Sequence, residues 1–285
     1  MVLPLAILKL CLEGAVIKYR MRLIAGLKDT FSKRQIITDL AKSDFKRRFV
    51  GSYFGIIWMF VQPIVTVFIY YCVFQLGFKS APPVNAPYVI WLIPGIVPWF
   101  YFSEAVSSAT NSLYEYSYLV KKVVFKISIL PVIKIVSSIF VHLIFIYIMV
   151  CVFLLYGYRP SIYWLQIFYY SAAVSVLALG IGFLTSSIKV FFKDMGQIVD
   201  ICIQFGMWIA PIMWHYSMAG EGLQKIIKLN PVFYIVEGYR DAFINKVWFW
   251  EHPSLTVYFW IVTLVIFVVG FLTFKKLRPH FSDVL

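Results

Sequence analysis

Charge is what this sequence lacks most. Only 14% of its 285 residues are charged, and only 13 are acidic, where a soluble domain is about 25% charged. Hydrophobic residues make up 61%, more than one soluble core of this size could hide. Cysteine is scarce too. Cys11, Cys72, Cys151 and Cys202 lie far apart and form no Cys-x-x-Cys, which excludes a zinc knuckle or a disulfide framework and leaves buried, inert thiols. His142, His215, His252 and His280 show no metal-ligand spacing and no His-Glu-x-x-His. There is no Gly-x-x-x-x-Gly-Lys-Ser/Thr, so no phosphate-cradling loop is expected, and no Gly-x-Ser-x-Gly elbow. Clustered carboxylates for acid–base catalysis are missing. Low-complexity tracts and internal repeats are absent. The first basic residue, Lys9, falls inside the apolar stretch and no small-x-small site follows. The N-terminus therefore does not read as a signal peptide, and Met1 is expected to remain.

What the chain does have is charge-free runs, over 49–78, 80–103, 135–158, 160–188, 201–220 and 252–274. Each reaches the ~20 residues a helix needs to cross about 30 Å of hydrocarbon. They are too long and continuous for alternating barrel strands. The reading is an all-α integral membrane protein with six transmembrane helices per protomer, near 54–77, 88–110, 130–156, 163–187, 199–217 and 256–274.

The net charge of +13 is explained by placement, without nucleic acid. With both termini cytoplasmic, 19 Lys and Arg fall in inner segments and six in outer ones, as the positive-inside rule requires. The inner basic surplus would face anionic membrane lipid. Glu104 and Asp200 are the acids near membrane depth, and Lys134 lies inside the third span. Each is expected either to line a polar path or gate, or to sit near the interface or pair with the others or with backbone.

Two segments are neither spans nor plain loops. Over 33–50, Ile37, Ala41, Phe45 and Phe49 recur every fourth residue while Lys33, Arg34, Lys42, Lys46 and Arg47 fall largely on other faces. This predicts an amphipathic helix lying in the membrane interface, inside an N-terminal region 1–51 that precedes a membrane domain 52–285. Residues 1–27 could add a second, more apolar one. Segment 218–255 holds apolar stretches too short to span, one of them interrupted by Glu237, Arg240 and Asp241. It is expected to be external and re-entrant, which requires protein or water to cover its backbone.

Several motifs then fall into a known order. Phe45-Lys-Arg-Arg-Phe-Val-Gly-Ser-Tyr-Phe-Gly-Ile-Ile-Trp58, followed by Pro63, resembles the entry to the first membrane helix in permease subunits of type-2 ABC exporters. More narrowly, it resembles those for bacterial polysaccharides such as O-antigen, capsule and teichoic acid. Tyr118-Leu-Val-Lys-Lys-Val-Val-Phe-Lys-Ile-Ser-Ile-Leu-Pro131 is similar to the family's first cytoplasmic loop, and Phe191-Phe-Lys-Asp-Met195 to the Phe-Arg-Asp signature of the second. Asn230-Pro-Val-Phe-Tyr-Ile-Val-Glu-Gly-Tyr-Arg240 resembles the external re-entrant element, with Asn230, Pro231, Glu237 and Arg240 as its marked positions. Lys276 to Leu285 resembles the C-terminal tail. The resemblance covers about 35–285. Lys126 departs from the family's usual proline, and Lys193 from its arginine, keeping the charge but losing the planar fork.

The resemblance implies a transport subunit with no ATP site of its own, in the bacterial plasma membrane. It implies a separate nucleotide-binding ABC ATPase carrying ATP and Mg, two copies of each subunit, and a pore between the permeases. The expected ATPase-docking positions are Tyr114, Glu115, Tyr116, Tyr118, Lys121 and Lys122, with Lys193 and Asp194 of the second loop; aromatic and charged side chains on a loop suit an interface. Arg47 and Arg48 would either receive the pyrophosphate of a lipid-pyrophosphate-linked polysaccharide or only anchor the helix to lipid. Aromatic residues make up 19% of the chain. Tyr70, Tyr71, Phe74, Trp99, Phe100, Tyr101 and Trp208 lie deep enough to stack on sugar rings along a glycan path, or else to face lipid or pack. The alternatives are a type-2 exporter of a small lipid or drug, a membrane-embedded glycosyl- or acyltransferase, and a passive scaffold.

Overall fold

The computed structural model describes residues 34–48, 53–79, 86–121 and 126–285. Among these the chain is helical with no strand. Five helices are long and apolar enough to cross a membrane, at 55–77, 88–115, 129–155, 162–191 and 253–284. The protein is therefore a multi-pass membrane protein. We label its helices α1 (Arg34–Arg47), α2 (Trp58–Tyr70), α3 (Tyr88–Glu115), α4 (Ser117–Val120), α5 (Ile129–Leu155), α6 (Gln166–Phe191), α7 (Met195–Ile209), α8 (Glu221–Lys228), α9 (Pro231–Arg240), α10 (Pro253–Leu277) and α11 (Phe281–Val284). A tighter turn, Gly55–Ile57, leads into α2, and a wider one, Tyr71–Gly77, extends it.

The helix expected over 199–217 is the one that differs most. It is realised as α7, 15 residues long, or about 22 Å at 1.5 Å per residue, short of the ~30 Å hydrocarbon layer. It stops where Ala210 turns extended (ψ 134°). The next residue is Pro211, and the ring of a proline disfavours α geometry in the residue before it. The chain runs on without helix through Ala210, Ile212 and Met213, all fully buried.

Helix α3 is the centre. It packs against α5, α6, α7 and α9, and α6 packs in turn on α10. The α6–α10 crossing is close because glycine faces it on both sides. A Cβ on Gly270 would lie 2.2 Å from the Gly180 carbonyl oxygen, and one on Gly180 would lie 2.8 Å from the Phe267 Cα. Small residues of this kind let membrane helices approach through their backbones. By contrast, α2 has no buried residue and forms a thin outer wall.

Two apolar clusters result. The larger fills the bundle between α3, α5, α6, α9 and α10. The smaller, around Leu113, Tyr116, Ile133, Phe183, Phe274 and Phe281, closes the end of the bundle that carries α1 and the C-terminus; we call this the basic end. Helix α1 joins that cluster through Ile37 and Ala41. The Ile37 and Ala41 side of α1 is packed on α5 and is not given only to lipid. Phe49 and residues 1–33 lie outside the described residues.

At the opposite end, 218–255 folds as α8 and α9 with short connecting turns. Helix α8 carries Leu223 and Ile226 exposed, whereas α9 is sunk into the bundle against α3, α6 and α10. Asn230 starts α9 by accepting the Val232 amide (3.0 Å), and Pro231 occupies the first turn, where its missing N–H costs nothing.

Candidate functional site

Three places gather the polar groups that this apolar chain spends. The first is a chain of ion pairs at the basic end. Asp44 sits on the buried face of α1, 4% exposed, and Lys134 faces it from α5, 3% exposed. Their Oδ1–Nζ distance is 2.5 Å. Lys134 also pairs with Glu115 at the end of α3. Tyr116 donates its hydroxyl to Asp44 Oδ1 at 2.9 Å. Arg48 reaches Asp44 Oδ2 at 3.3 Å, pairs with Glu104 of α3, and donates to Ser108 Oγ at 3.3 Å. Burial by itself would push the Asp44 carboxyl up; the Lys134 ammonium, by hydrogen bond and by charge, with the Tyr116 hydroxyl, brings it below the ordinary carboxylate value. Helix α1 is therefore riveted to α3 and α5 by charge as well as by its apolar stripe.

This network accounts for Glu104 and Lys134 as paired groups, and it contains a residue the sequence reading passed over. Asp44 lies three residues after Ala41 and seven after Ile37, so helical periodicity puts it on the apolar stripe. An acid on that stripe and a lysine inside an apolar span were the two halves of the signal.

The second place is the surface where two connections meet. Tyr114 donates to the Val190 carbonyl at 3.4 Å, and Lys189 bonds Asn111. The α3–α4 turn and the α6–α7 turn thus form one surface. On it Glu115, Tyr118, Lys121, Phe191, Phe192, Lys193 and Asp194 are exposed. Tyr116 is not among them: it is 3% exposed and serves Asp44. Lys122 lies outside the described residues. The exposed Phe191 and Phe192 are additions to the positions read from sequence.

The third place is the broken end of α7. Arg240, 1% exposed, reaches from α9 into the bundle. It donates through Nη1 to the Pro211 carbonyl (2.8 Å) and to Glu237 Oε1 (2.6 Å), and through Nη2 to the Ile212 carbonyl (2.8 Å). Its guanidinium lies 3.7 Å from the centre of the Trp91 ring. The next free carbonyl, of Met213, accepts from the Tyr88 hydroxyl at 2.7 Å. Three consecutive carbonyls released by the break are thus satisfied by side chains, which is what apolar surroundings demand of irregular backbone. Gly95 makes room, because a Cβ there would lie 2.8 Å from Arg240 Nη2.

The aromatic positions divide. Trp99 is buried, with its ring against Gly206 of α7. Tyr101 is buried and stacks on His142 at 4.3 Å between centroids. Trp99 thus serves packing within the chain, while Tyr101 also stands on the wall of a cavity beside α2. Phe74 stacks on Tyr88 at 6.2 Å, and Tyr70 donates to Met207 Sδ at 3.5 Å. Tyr71 and Phe100 line clefts between α2, α3 and α5. Trp208 is exposed on α7, beside Phe205 and Ile201. Of the two arginines read as phosphate contacts, Arg47 is exposed with its guanidinium 6.0 Å from the Tyr116 ring, while Arg48 is held by Asp44 and Glu104.

Comparison with known proteins adds the following. The family described as ABC-2 type transporter matches residues 35–244. The chain is similar to an O-antigen export system permease protein RfbA of Klebsiella pneumoniae, 29% identical over 254 residues, or 88% of this chain and 95% of that protein. It is also similar to an O-antigen export system permease protein RfbA of Myxococcus xanthus, 22% identical over 225 residues, 78% of this chain and 85% of that one.

Proposed function

The chain belongs to the ABC-2 type transporter family, and we propose that it is the permease of an ATP-driven exporter that moves lipid-linked polysaccharide out across a bacterial plasma membrane. The observation that carries this is the end-to-end similarity to O-antigen export permeases, which spans 95% of one such protein. In this reading the basic end is cytoplasmic and both termini lie there. Energy comes from a nucleotide-binding ABC ATPase that carries ATP and Mg and docks on the joined surface of the α3–α4 and α6–α7 turns. The exposed Tyr118, Phe191 and Phe192 are its aromatic anchors, with Lys121, Lys193 and Asp194 around them.

Two copies of the chain enclose the glycan path. The apolar face of α7 supports this, since Ile201, Phe205 and Trp208 are exposed. Trp208 is the aromatic best placed to meet a sugar ring. Arg47 faces the headgroup layer, where its planar fork suits the substrate's pyrophosphate.

The docking surface is tested by capture. A tagged chain is expected to retain the partner ATPase, and Tyr118→Ala with Phe192→Ala is expected to weaken that capture about tenfold or more, the usual effect of removing aromatic anchors. Undiminished capture by the double variant would place the ATPase elsewhere.

A further inference from the structure

Between α2, α3 and α5, above the Arg48–Glu104 pair, lies a cavity of about 380 Å³. Its wall mixes rings (Trp58, Phe100, Tyr101) with planar or hydroxylic polar groups (Gln62, Ser138, His142). Among the described residues, Ser138 Oγ and His142 Nδ1 are buried without a hydrogen-bond partner, although both residues stand on the cavity wall and His142 is 2% exposed. Polar atoms left unbonded in an apolar setting are costly, so two of them at one cavity point to a ligand that bonds them. A second cleft of about 410 Å³, lined by Ile64, Phe68, Ile96 and Met149, shares Pro63, Phe100 and Phe145 with the first. A polar chamber thus opens onto an apolar groove. The outer wall of both is α2, which contributes no buried residue.

The shape fits an amphiphile, and charge decides its headgroup. Among the described residues the cation on the wall is Arg48, held between two carboxylates, Asp44 and Glu104, so a phosphate would meet no spare positive charge from them. An uncharged sugar meets what it needs. Aromatic faces take its C–H surface, and amide, hydroxyl, imidazole and carboxylate groups take its hydroxyls. We propose that each protomer holds an uncharged glycolipid here, its sugar against Tyr101, Ser138 and His142 and its tail along α2. This site lies inside one protomer, apart from the path between two copies.

Photolabelling tests it on the purified full chain in phosphatidylcholine nanodiscs, with no ATPase present. The probes are an alkyl glucoside carrying a diazirine in its tail and the same tail on a phosphate monoester, with labelled peptides read by mass spectrometry. The glucoside is expected to label the α3 and α5 walls at least about fivefold more than the phosphate. Val141→Trp, which fills the chamber from α5, should bring labelling to background. Ser138→Ala removes only an unbonded hydroxyl and should weaken labelling about threefold to tenfold, the effect of one neutral hydrogen bond. Equal or stronger labelling by the phosphate, or labelling unchanged in both variants, would overturn the assignment.

Discussion

Arg240→Met is expected to cost about 3–5 kcal/mol of stability, the range for breaking a buried charge pair from one side. The methionine would fill much of the volume but bond nothing. The Pro211 and Ile212 carbonyls, held at 2.8 Å by the guanidinium, would lose their donor in a place water does not reach. Glu237 would lose its counter-charge, and the Trp91 ring its cation. Because α7 ends at Ala210 only through Pro211, the chain cannot restore these bonds by continuing the helix. Arg240→Lys should fall between the two, since an ammonium keeps the charge for Glu237 but not the fork that reaches two carbonyls at once. Thermal unfolding of the purified protein in detergent reads the difference. An Arg240→Met protein within about 1 kcal/mol of the parent, the scale of an ordinary surface change, would show that the clamp is incidental.

A comparable loss is expected at the basic end. Lys134→Met leaves Asp44 buried with its principal counter-ion gone, again about 3–5 kcal/mol. The double variant Asp44→Asn, Lys134→Met removes both charges and should recover part of that loss. The readout specific to α1 is protease cleavage at the exposed Lys42 and Lys46, which should accelerate in Lys134→Met and slow again in the double variant. Equal cleavage in all three proteins would detach Asp44 from the docking of α1. The pH dependence has a definite sign. A carboxyl whose folded value lies below its unfolded 3.8 adds stability above that value and loses it as pH falls through the folded one. Protection of α1 should therefore be flat from pH 7 to about 5 and decline only near and below pH 4. Lys134 of α5 and Tyr116, just after α3, face this carboxyl from other elements, and Arg48 faces it from the end of α1 itself.

The spans were legible because lipid imposes a length and a composition that few other constraints mimic. Four of the six expected segments, near 54–77, 130–156, 163–187 and 256–274, correspond to helices at 55–77, Ile129–Leu155, 162–191 and Pro253–Leu277. Helix α3 runs to Glu115, beyond the expected 110, because Asn111 to Glu115 pack on α6 and the smaller apolar cluster, a tertiary gain that hydropathy does not register. The early stop of α7 was written in Ala210-Pro211 but was outweighed by an uninterrupted apolar run. The basic and aromatic character of the α3–α4 turn was legible. That Tyr116 turns inward while Tyr118 stays outside was not, since it depends on Asp44 arriving from α1, 72 residues away. Trp99 and Tyr101 follow the same rule: their depth was readable, but which neighbours covered them was fixed by the crossing of α3 with α5 and α7.

Whether this chain is the permease half of an ATP-driven glycan exporter is decided in inverted membrane vesicles containing the chain, its candidate ATPase and a radiolabelled lipid-linked polysaccharide. The glycan is expected to enter the vesicle lumen only when ATP, the ATPase and this chain are all present, and Trp208→Ala is expected to slow entry while leaving complex assembly intact. Glycan entry without the chain, or ATP hydrolysis by the purified chain alone, would contradict that role.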